Sequence, residues 1–521
     1  MSELTIKYQI ITSEEDAEAL ARKIAIEQSV ETPEALISAD IEEKYVGKSE
    51  LSKVKDGIYI LALTYHEDVL SGQYNQLLNL SFGNVAMYPN VRLADISLPD
   101  SCLSSFQGPL FGIDGIRKLL NVHDRPLLAT ALKPRGYSDQ QFADLAYEFA
   151  LGGGDIIKDD QNLIGSFDEF KNRVTSCHQA IERANDKTGK RCFYFPHISA
   201  PYEALSKYFD FIKELDIKGV LLAPSVMGLD TARGWASTYN LIYMAHPTFT
   251  GSYCVPPNHG MDYHLFYGLL YRLAGVDISV YPNTGGRFMF TETDCKHIAQ
   301  ELTRPMDRIA KAFPCPAGGM QFEHLARMCE WYGKDAVFLL GGSLLEYSDS
   351  LANSTRAFLQ QISESTRENT DIKPTTFTSS CEIPVYVNQQ QQEFLRFDQF
   401  NWEGRESVQY KQLDDIAYKG VRRIELIGKQ GEDLDFDLRY FEIEQGGFSS
   451  LEKHQHTHVI IVVRGQGEVL VDDEVYTANT NDIVYIRPMK AHQLKNRERE
   501  PFGFYCIVDH QRDQPVSVAH D

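Results

Sequence analysis

The sequence predicts an α/β protein of three parts: an N-terminal α+β domain, a (β/α)8 barrel of the TIM type, and an all-β barrel. Three observations carry this prediction. Between Arg125 and Gly342 eight short apolar runs recur, nearly all separated by helix-length segments, the rhythm of parallel strands alternating with helices. From about Ala417 the pattern becomes all-β, with alternating strands around Gly446-Gly447, Gly465 with Gly467, and Asp472-Asp473. A length of 521 residues, with 43% hydrophobic and 24% charged content, suits a soluble globular chain of two or three domains.

Taken in order, residues 1–108 combine a helical stretch, Glu14 to Glu27, with β-like runs at Gly57 to Thr64 and Asn79 to Met87. Residues 109–362 are the expected barrel. Its strands fall in PLLATAL, DIIK, CFYFP, GVLLAP, LIYMAH, VDISVYP, FPCPAGG and AVFLLGG. The first intervening helix opens with Ser138 and Gln141 as a capping box, and Phe142, Leu145, Ala146 and Phe149 share one face. Residues 363–383 read as a linker, because Ser363 to Ser380 is rich in Ser, Thr, Asn and Glu with little apolar periodicity. Residues 384–521 form the third domain.

Composition excludes several classes of partner. A formal charge of −22 repels phosphodiester backbones, so nucleic acid is not expected, and any bound phosphate needs a local pocket. No 18-residue apolar run and no basic, apolar leader occurs, which argues against a membrane or export. Nine scattered cysteines without CxxC spacing argue against a disulfide framework, so a reducing cytoplasm is the expected compartment.

The chemistry gathers where strands end. GGGDIIKDDQN delivers Lys158, Asp160 and Gln161 after the second strand; Lys133 and Arg135 follow the first, His197 the third and His246 the fifth. Arg287 lies in PNTGGRF after the sixth, and Gly318-Gly319 and Gly341-Gly342-Ser343 follow the last two. Bare backbone N–H groups after strands seven and eight suit a phosphate, and polar residues converging on one face suit a barrel active site. The bland alternatives are a solvated charge run and glycines that only let strands turn.

Over roughly residues 1–365 these motifs resemble ribulose bisphosphate carboxylase and, above all, its carboxylase-like relatives. LLATALKPRG resembles the first-strand segment with its lysine pair, here Lys133 and Arg135, and GGGDIIKDDQN the segment whose lysine is carbamylated and whose acids bind Mg2+. MAHPTFTG resembles the fifth-strand histidine segment, PNTGGRF the mobile sixth loop, and PAGGM with LLGGS the phosphate loops. IEQSVET and SFGNV resemble stretches that complete a neighbour's site across a homodimer, which carries over to Glu27 and Asn84. The departures count more. Gln161 replaces a metal-binding glutamate, Pro247 an arginine, Val280 a histidine and Arg287 the loop lysine. Hard Mg2+ prefers carboxylates, so the barrel's Mg2+ site, with Lys158 (if carbamylated), Asp160 and Gln161, is weakened. One phosphate cradle survives and the second is lost.

The resemblance therefore implies an enolising enzyme for a singly phosphorylated sugar, not a CO2-fixing carboxylase. A 5-methylthioribulose-1-phosphate isomerase forming 1-methylthioxylulose 5-phosphate is the first expectation. Lys158 would be the base, Lys133 and Arg287 would hold the enolate and phosphate, and His246 would return protons. Alternatives are a decarboxylase of a phosphorylated 3-oxo acid (3-oxo-isoapionate 4-phosphate type), a diketo-methylthiopentyl-phosphate enolase, and a non-catalytic sugar-phosphate-binding regulator. A homodimer or a multiple of dimers is implied.

At the C-terminal end, GGFSSLEKHQHTHVIIVVRGQG and NDIVYIRPMKAHQL resemble a cupin. His454, His456 and His458 would alternate on one face of a strand, and His492 would follow a second strand and a proline. The resemblance implies Mn2+, Fe2+ or another divalent transition metal, with His458 in place of the usual glutamate. The alternative is a solvated strand edge. Cys506, in the last strand, is either a small buried hydrophobe or a thiol that receives a methylthio group from the barrel's product.

Overall fold

The computed structural model describes residues 3–288, 290–368, 395–405, 407, 408, 410, 418–428, 434, 436–509, 516 and 517. The chain divides into two compact units, Met1–Tyr386 and Val387–Asp521.

The first unit begins with β1 (Glu3–Ile11), β2 (Lys48–Lys55), β3 (Ile58–His66) and β4 (Val91–Ser97). On β1 the period of two buries Leu4, Ile6, Tyr8 and Ile10 against the helix Ala17–Glu27, which starts three residues later than the sequence suggests. The run Asn79 to Met87, expected as β, is instead the end of a helix, Tyr74–Phe82, followed by a 3-10 turn, Asn84–Met87. Tyr74, Leu77, Leu80 and Ser81 form a buried stripe at helical spacing that begins before Asn79, so the shorter window hid the period.

The barrel strands are β5 (Leu127–Leu132), β6 (Ile156–Asp159), β7 (Phe193–Phe195), β8 (Gly219–Leu222) and β9 (Ile242–Ala245). After a short excursion, β10 (Gly260–Met261), come β11 (Ile278–Pro282), β12 (Phe313–Ala317) and β13 (Val337–Leu340). All eight apolar runs thus form strands. They pair in parallel in the order β7-β6-β5-β13-β12-β11-β9-β8, and a bridge between His197 and Leu221 closes the ring. Ile156, Phe195, Leu221, Met244, Val280, Cys315 and Leu339 fill its interior. The strand β10 leaves the barrel and extends the N-terminal sheet beside β4, where buried Arg92 pairs with Asp262 at 2.5 Å.

Ser138 and Gln141 do form a capping box on the helix Asp139–Gly152. The barrel's last helix, Leu351–Glu368, runs past Ile362 into the segment expected as linker. Its polar residues do not stop it, because the Ser363 and Thr366 hydroxyls donate to the carbonyls of Leu359 and Ile362, four residues back. The remainder of that segment, 369–383, lies outside the described residues.

In the second unit the short strands β14 (Phe397–Asp398), β15 (Asn401–Trp402) and β16 (Ser407–Val408) precede β17 (Lys419–Ile427) and β18 (Phe436–Phe448). Then follow β19 (Glu452–Lys453), β20 (His458–Arg464), β21 (Gln466–Val471), β22 (Glu474–Asn479), β23 (Ile483–Ile486), β24 (His492–Lys495), β25 (Phe502–Asp509) and β26 (Val516–Ser517). Antiparallel pairing through β22-β21-β24-β18-β25-β20-β23 wraps an apolar core of Phe441, Ile443, Ile460, Val462, Phe504 and Val508. Cys506 therefore lies on the last long strand, with β26 beyond it.

Candidate functional site

The barrel site is built by strand alternation on β6. Ile156 points into the barrel core and Ile157 away from it, so Lys158 turns inward and Asp159 outward. Asp159 is fully buried and accepts hydrogen bonds from Tyr194 Oη at 2.6 Å, Arg173 Nη2 at 3.0 Å and the His197 backbone N–H at 3.0 Å. It ties β6 to β7 and to the helix Phe167–Thr188. The Lys158 ammonium in turn donates to the Asp159 carbonyl at 3.0 Å.

Lys158 is only 2% exposed, and burial pushes its amine down to about 8, with Asp160 opposing the fall and Lys133 adding to it. Lys133, from the end of β5, reaches Asp160 Oδ2 at 3.1 Å. Burial pulls the Asp160 carboxyl up, but the Asn162 N–H and Lys133 pull it further down, so it stays ionised. His246, after β9, accepts the Thr248 backbone N–H on Nδ1 at 3.1 Å, which leaves the proton on Nε2. Burial holds its pKa well below the ordinary value, and Lys158, His197 and Lys133 further disfavour a positive charge on it. His197 is lowered by burial too, and its Nδ1 lies 3.1 Å from the Leu221 carbonyl. Lys133, Lys158, Asp160, His197 and His246 thus share one electrostatic cluster at the top of the barrel.

The other expected residues stand around this cluster. Gly318 and Gly319 have left-handed backbones (φ +79° and +69°), and a Cβ on Gly319 would lie 2.5 Å from the Gly286 nitrogen. A Cβ on Gly318 or Gly341 would meet nothing within 4 Å, so backbone faces open space at the ends of β12 and β13. Gly342 opens a short helix, and the Ser343 hydroxyl donates to the Met320 carbonyl at 2.8 Å. Arg287 and Arg135 are exposed, the former 6.0 Å from the Phe288 ring. Gln161 follows Asp160 in a half-buried turn, and Val280 is sealed in the apolar barrel core. Asn84 Nδ2 donates to Glu27 Oε1 at 2.9 Å, so these two meet each other in the N-terminal domain. Among the described residues no hydrogen bond or ion pair joins them to the barrel cluster. The barrel donors as they stand do not fit Mg2+: one carboxylate, already paired with Lys133, sits beside an amide.

The second unit carries a histidine cluster. The ligand nitrogens of His454, His458 and His492 lie within 4.8 Å of one another and all three rings are buried. His454 and His456 lie in the loop before β20, not on a strand as expected; only His458 and His492 begin strands. The Nδ1–H groups of His454 and His492 donate to the carbonyls of His456 and Lys490 at 2.8 and 3.0 Å, which directs both Nε2 lone pairs to the cluster. His454 Nε2 is buried without a hydrogen-bond partner. Burial first, then His456 and His492, lower His454 to about 4, and burial holds His458 well below its ordinary value, so these two rings are neutral as metal ligation requires. These three residues fit a divalent transition metal. His456, expected as a fourth ligand, stands outside the triad, stacked on His454 at 3.6 Å with Nε2 3.3 Å from that of His458. Cys506 Sγ is 3.7 Å from His458 Nδ1.

Comparison with known proteins places both units. Residues 112–383 match the catalytic domain of the ribulose bisphosphate carboxylase large chain. The chain belongs to that family. Within it the resemblance is to the carboxylase-like proteins, which include non-carboxylating members. A 5-methylthioribulose-1-phosphate isomerase of Rhodospirillum rubrum is 33% identical over 71% of this chain and 99% of its own length. A 2,3-diketo-5-methylthiopentyl-1-phosphate enolase of Geobacillus kaustophilus is 32% identical over 57% of this chain and 73% of its own. The crystal structure of a Rubisco-like protein from Rhodopseudomonas palustris superposes with a TM-score of 0.63 at 31% identity, over 70% of this chain and 98% of that one. Residues 439–508 match the cupin domain, so the chain is a carboxylase-like protein carrying a cupin.

Sequence reasoning missed Asp159, Tyr194, Arg173 and Thr248. The period of two on β6 is the signal that would have found Asp159, since it forces the middle acid of KDD to the side opposite Lys158. Among the described residues no helix is long and apolar enough to cross a membrane.

Proposed function

We propose that the barrel is an enolising isomerase of a singly phosphorylated sugar, with 5-methylthioribulose 1-phosphate as substrate and 1-methylthioxylulose 5-phosphate as product. The observation that carries this is the buried amine of Lys158, poised at about 8 beside Lys133, Asp160 and two neutral histidines. Substrate and product numbering requires the carbonyl to move two carbons along the chain while the phosphate stays in place. That means two successive enolisations around one fixed anchor. Lys158 removes each carbon-bound proton, the Lys133 ammonium holds the enolate oxygen, and His246 donates from Nε2. The glycines at the ends of β12 and β13 take the phosphate, and Arg287 covers it from the loop after β11.

The apolar packing of Val280 and the presence of Pro247 support one phosphate rather than two. Incubation with 5-methylthioribulose 1-phosphate in D2O should exchange C–H protons, and ribulose 1,5-bisphosphate should be a poor ligand. Absence of exchange with the first, or equally tight binding of the second, rejects the proposal. A dependence on bicarbonate and Mg2+ would assign the base to a Lys158 carbamate; independence would assign it to the amine. An enolase or a decarboxylase shares the enolate but not the carbonyl transfer, so product analysis separates them. We further propose that the chain works as a homodimer, in which Glu27 and Asn84 complete the partner's site, and that the cupin acts on the barrel's product. There a metal on His454, His458 and His492 would supply Lewis acidity. The Cys506 thiolate would attack the methylthio sulfur, the carbon–sulfur electron pair would pass into the enolate, which takes up a proton, and the resulting methyl disulfide on Cys506 would be cleared by an external thiol supplied in the assay. Release of a methylthio species from the product, lost in Cys506→Ser, is the expected outcome.

A further inference from the structure

The cupin interior holds a charge that the histidine cluster does not account for. Arg439 lies on the inward row of β18 with Phe441 and Ile443 and is 7% exposed. Its register partners are Glu425 on β17 and Cys506 on β25. Nη2 donates to Cys506 Sγ at 3.4 Å, the same sulfur that sits 3.7 Å from His458 Nδ1. The guanidinium lies 5.1 Å from the Phe441 ring, and its Nε is buried with no hydrogen-bond acceptor. Glu425, the carboxylate opposite in register, pairs with Arg423 at 3.2 Å. Among the described residues no carboxylate comes within ion-pair distance of Arg439: Glu425 and buried Asp437 act on it only at longer range, and its one hydrogen-bond acceptor is a thiol.

A guanidinium is always charged and presents five donors in a planar fork that matches a carboxylate or phosphate. Burying one without an oxyanion in contact leaves most of its donors unmet, which is costly. A ligand that supplies the anion removes that cost, and the ligand is then bound where the thiol and the imidazoles already are. We propose that the cupin interior is an oxyanion site in which Arg439 anchors a phosphate or carboxylate group beside Cys506 and His458. The anion's oxygens accept from Nε and the Nη groups, so the rest of the ligand is directed toward the sulfur and the histidine nitrogens. This assignment is independent of which reaction the barrel catalyses.

The test uses the full chain after chelation, with inorganic phosphate in equilibrium dialysis and with Arg439→Met and Arg439→Lys beside the wild type. Wild type should bind about two phosphates per chain, one in the barrel and one in the cupin, and Arg439→Met about one. Arg439→Lys keeps the charge without the fork and should retain the second phosphate about tenfold more weakly. Phosphate should raise the melting temperature of wild type by more than that of Arg439→Met, which has lost the cupin's share of the stabilisation. Uptake of Mn2+ on the histidines shows that each variant's cupin is folded. If only one phosphate binds and Arg439→Met abolishes it, the cupin site stands and the barrel cradle falls. Competition with acetate separates the two ligand chemistries: displacement of the Arg439-dependent phosphate marks a carboxylate site, and resistance marks a phosphate site. Wild-type stoichiometry retained in Arg439→Met, or a melting temperature lowered in both variants without any phosphate-dependent difference, overturns the proposal.

Discussion

A lysine held at 2% exposure cannot keep its ordinary proton affinity, and Lys158 is lowered from 10.5 to about 8 chiefly by burial. Two consequences follow with definite signs. The amine is a base only when neutral, so exchange in CO2-free, Mg2+-free buffer should rise with pH and level off above about 8. Between about 8 and 10.5 the unfolded chain holds a proton on this lysine that the folded chain has lost, so stability should rise with pH across that window. Lys158→Met should remove that part of the slope in urea titrations. Lys158→Ala should cut proton exchange by about 10²–10⁴-fold, the usual worth of a positioned base. A variant that folds and exchanges near the wild-type rate would reassign the base. His246 reaches the same end by another route, because burial first, then the nearby Lys158, His197 and Lys133, keep it neutral and Thr248 fixes which nitrogen bears the proton.

Elements decide where those residues point, and Asp159 is the joint between them. It is the buried acceptor of Tyr194, Arg173 and the His197 N–H, linking β6, β7 and the helix Phe167–Thr188. Asp159→Asn would leave the buried Arg173 charge uncompensated and should cost about 3–5 kcal/mol in denaturant midpoints. If stability changes by less than about 1 kcal/mol, that pair is not what holds the second and third strands together. Strands of this kind are legible in the sequence because a barrel buries them on both faces, which writes each as a short apolar run ended by Gly, Pro or a charge. The eight runs from PLLATAL to AVFLLGG are of that sort, and so are the residues that end them. Less legible are elements whose pattern is longer than the eye's window, such as the helix Tyr74–Phe82, or whose polar residues satisfy themselves locally, as Ser363 and Thr366 do at the end of the last barrel helix. Residues that act through a neighbour, Asp159 and Thr248 here, carry no motif of their own. That the cupin histidines gather was legible for His454, His458 and His492, but their placement and the separation of His456 from the triad were not, because loop and strand residues at spacing of two look alike until the backbone is drawn.

At the scale of the whole molecule, the barrel cluster and the Glu27–Asn84 pair remain separate within one chain: each is internally hydrogen-bonded or ion-paired, and no described contact joins them. In the proposed symmetric dimer the surface that presents Glu27 and Asn84 on one protomer would meet the barrel top of the other, and the reverse. The consequence is specific. Lys158→Ala disables the barrel half of a site, and Asn84→Ala disables the half lent by the partner, so each homodimer should be inactive. In a mixed dimer one site contains both defects and the other contains neither. Random exchange of equal amounts makes about half the dimers mixed, each with one intact site of two, so activity should return to about a quarter of the wild-type level. Dilution below the dimer's dissociation constant should abolish the recovered activity. If instead both residues serve the site of their own chain, a mixed dimer contains two damaged sites and mixing restores nothing. Recovery in the mixture therefore tests the shared site directly, whichever sugar phosphate is used to measure it.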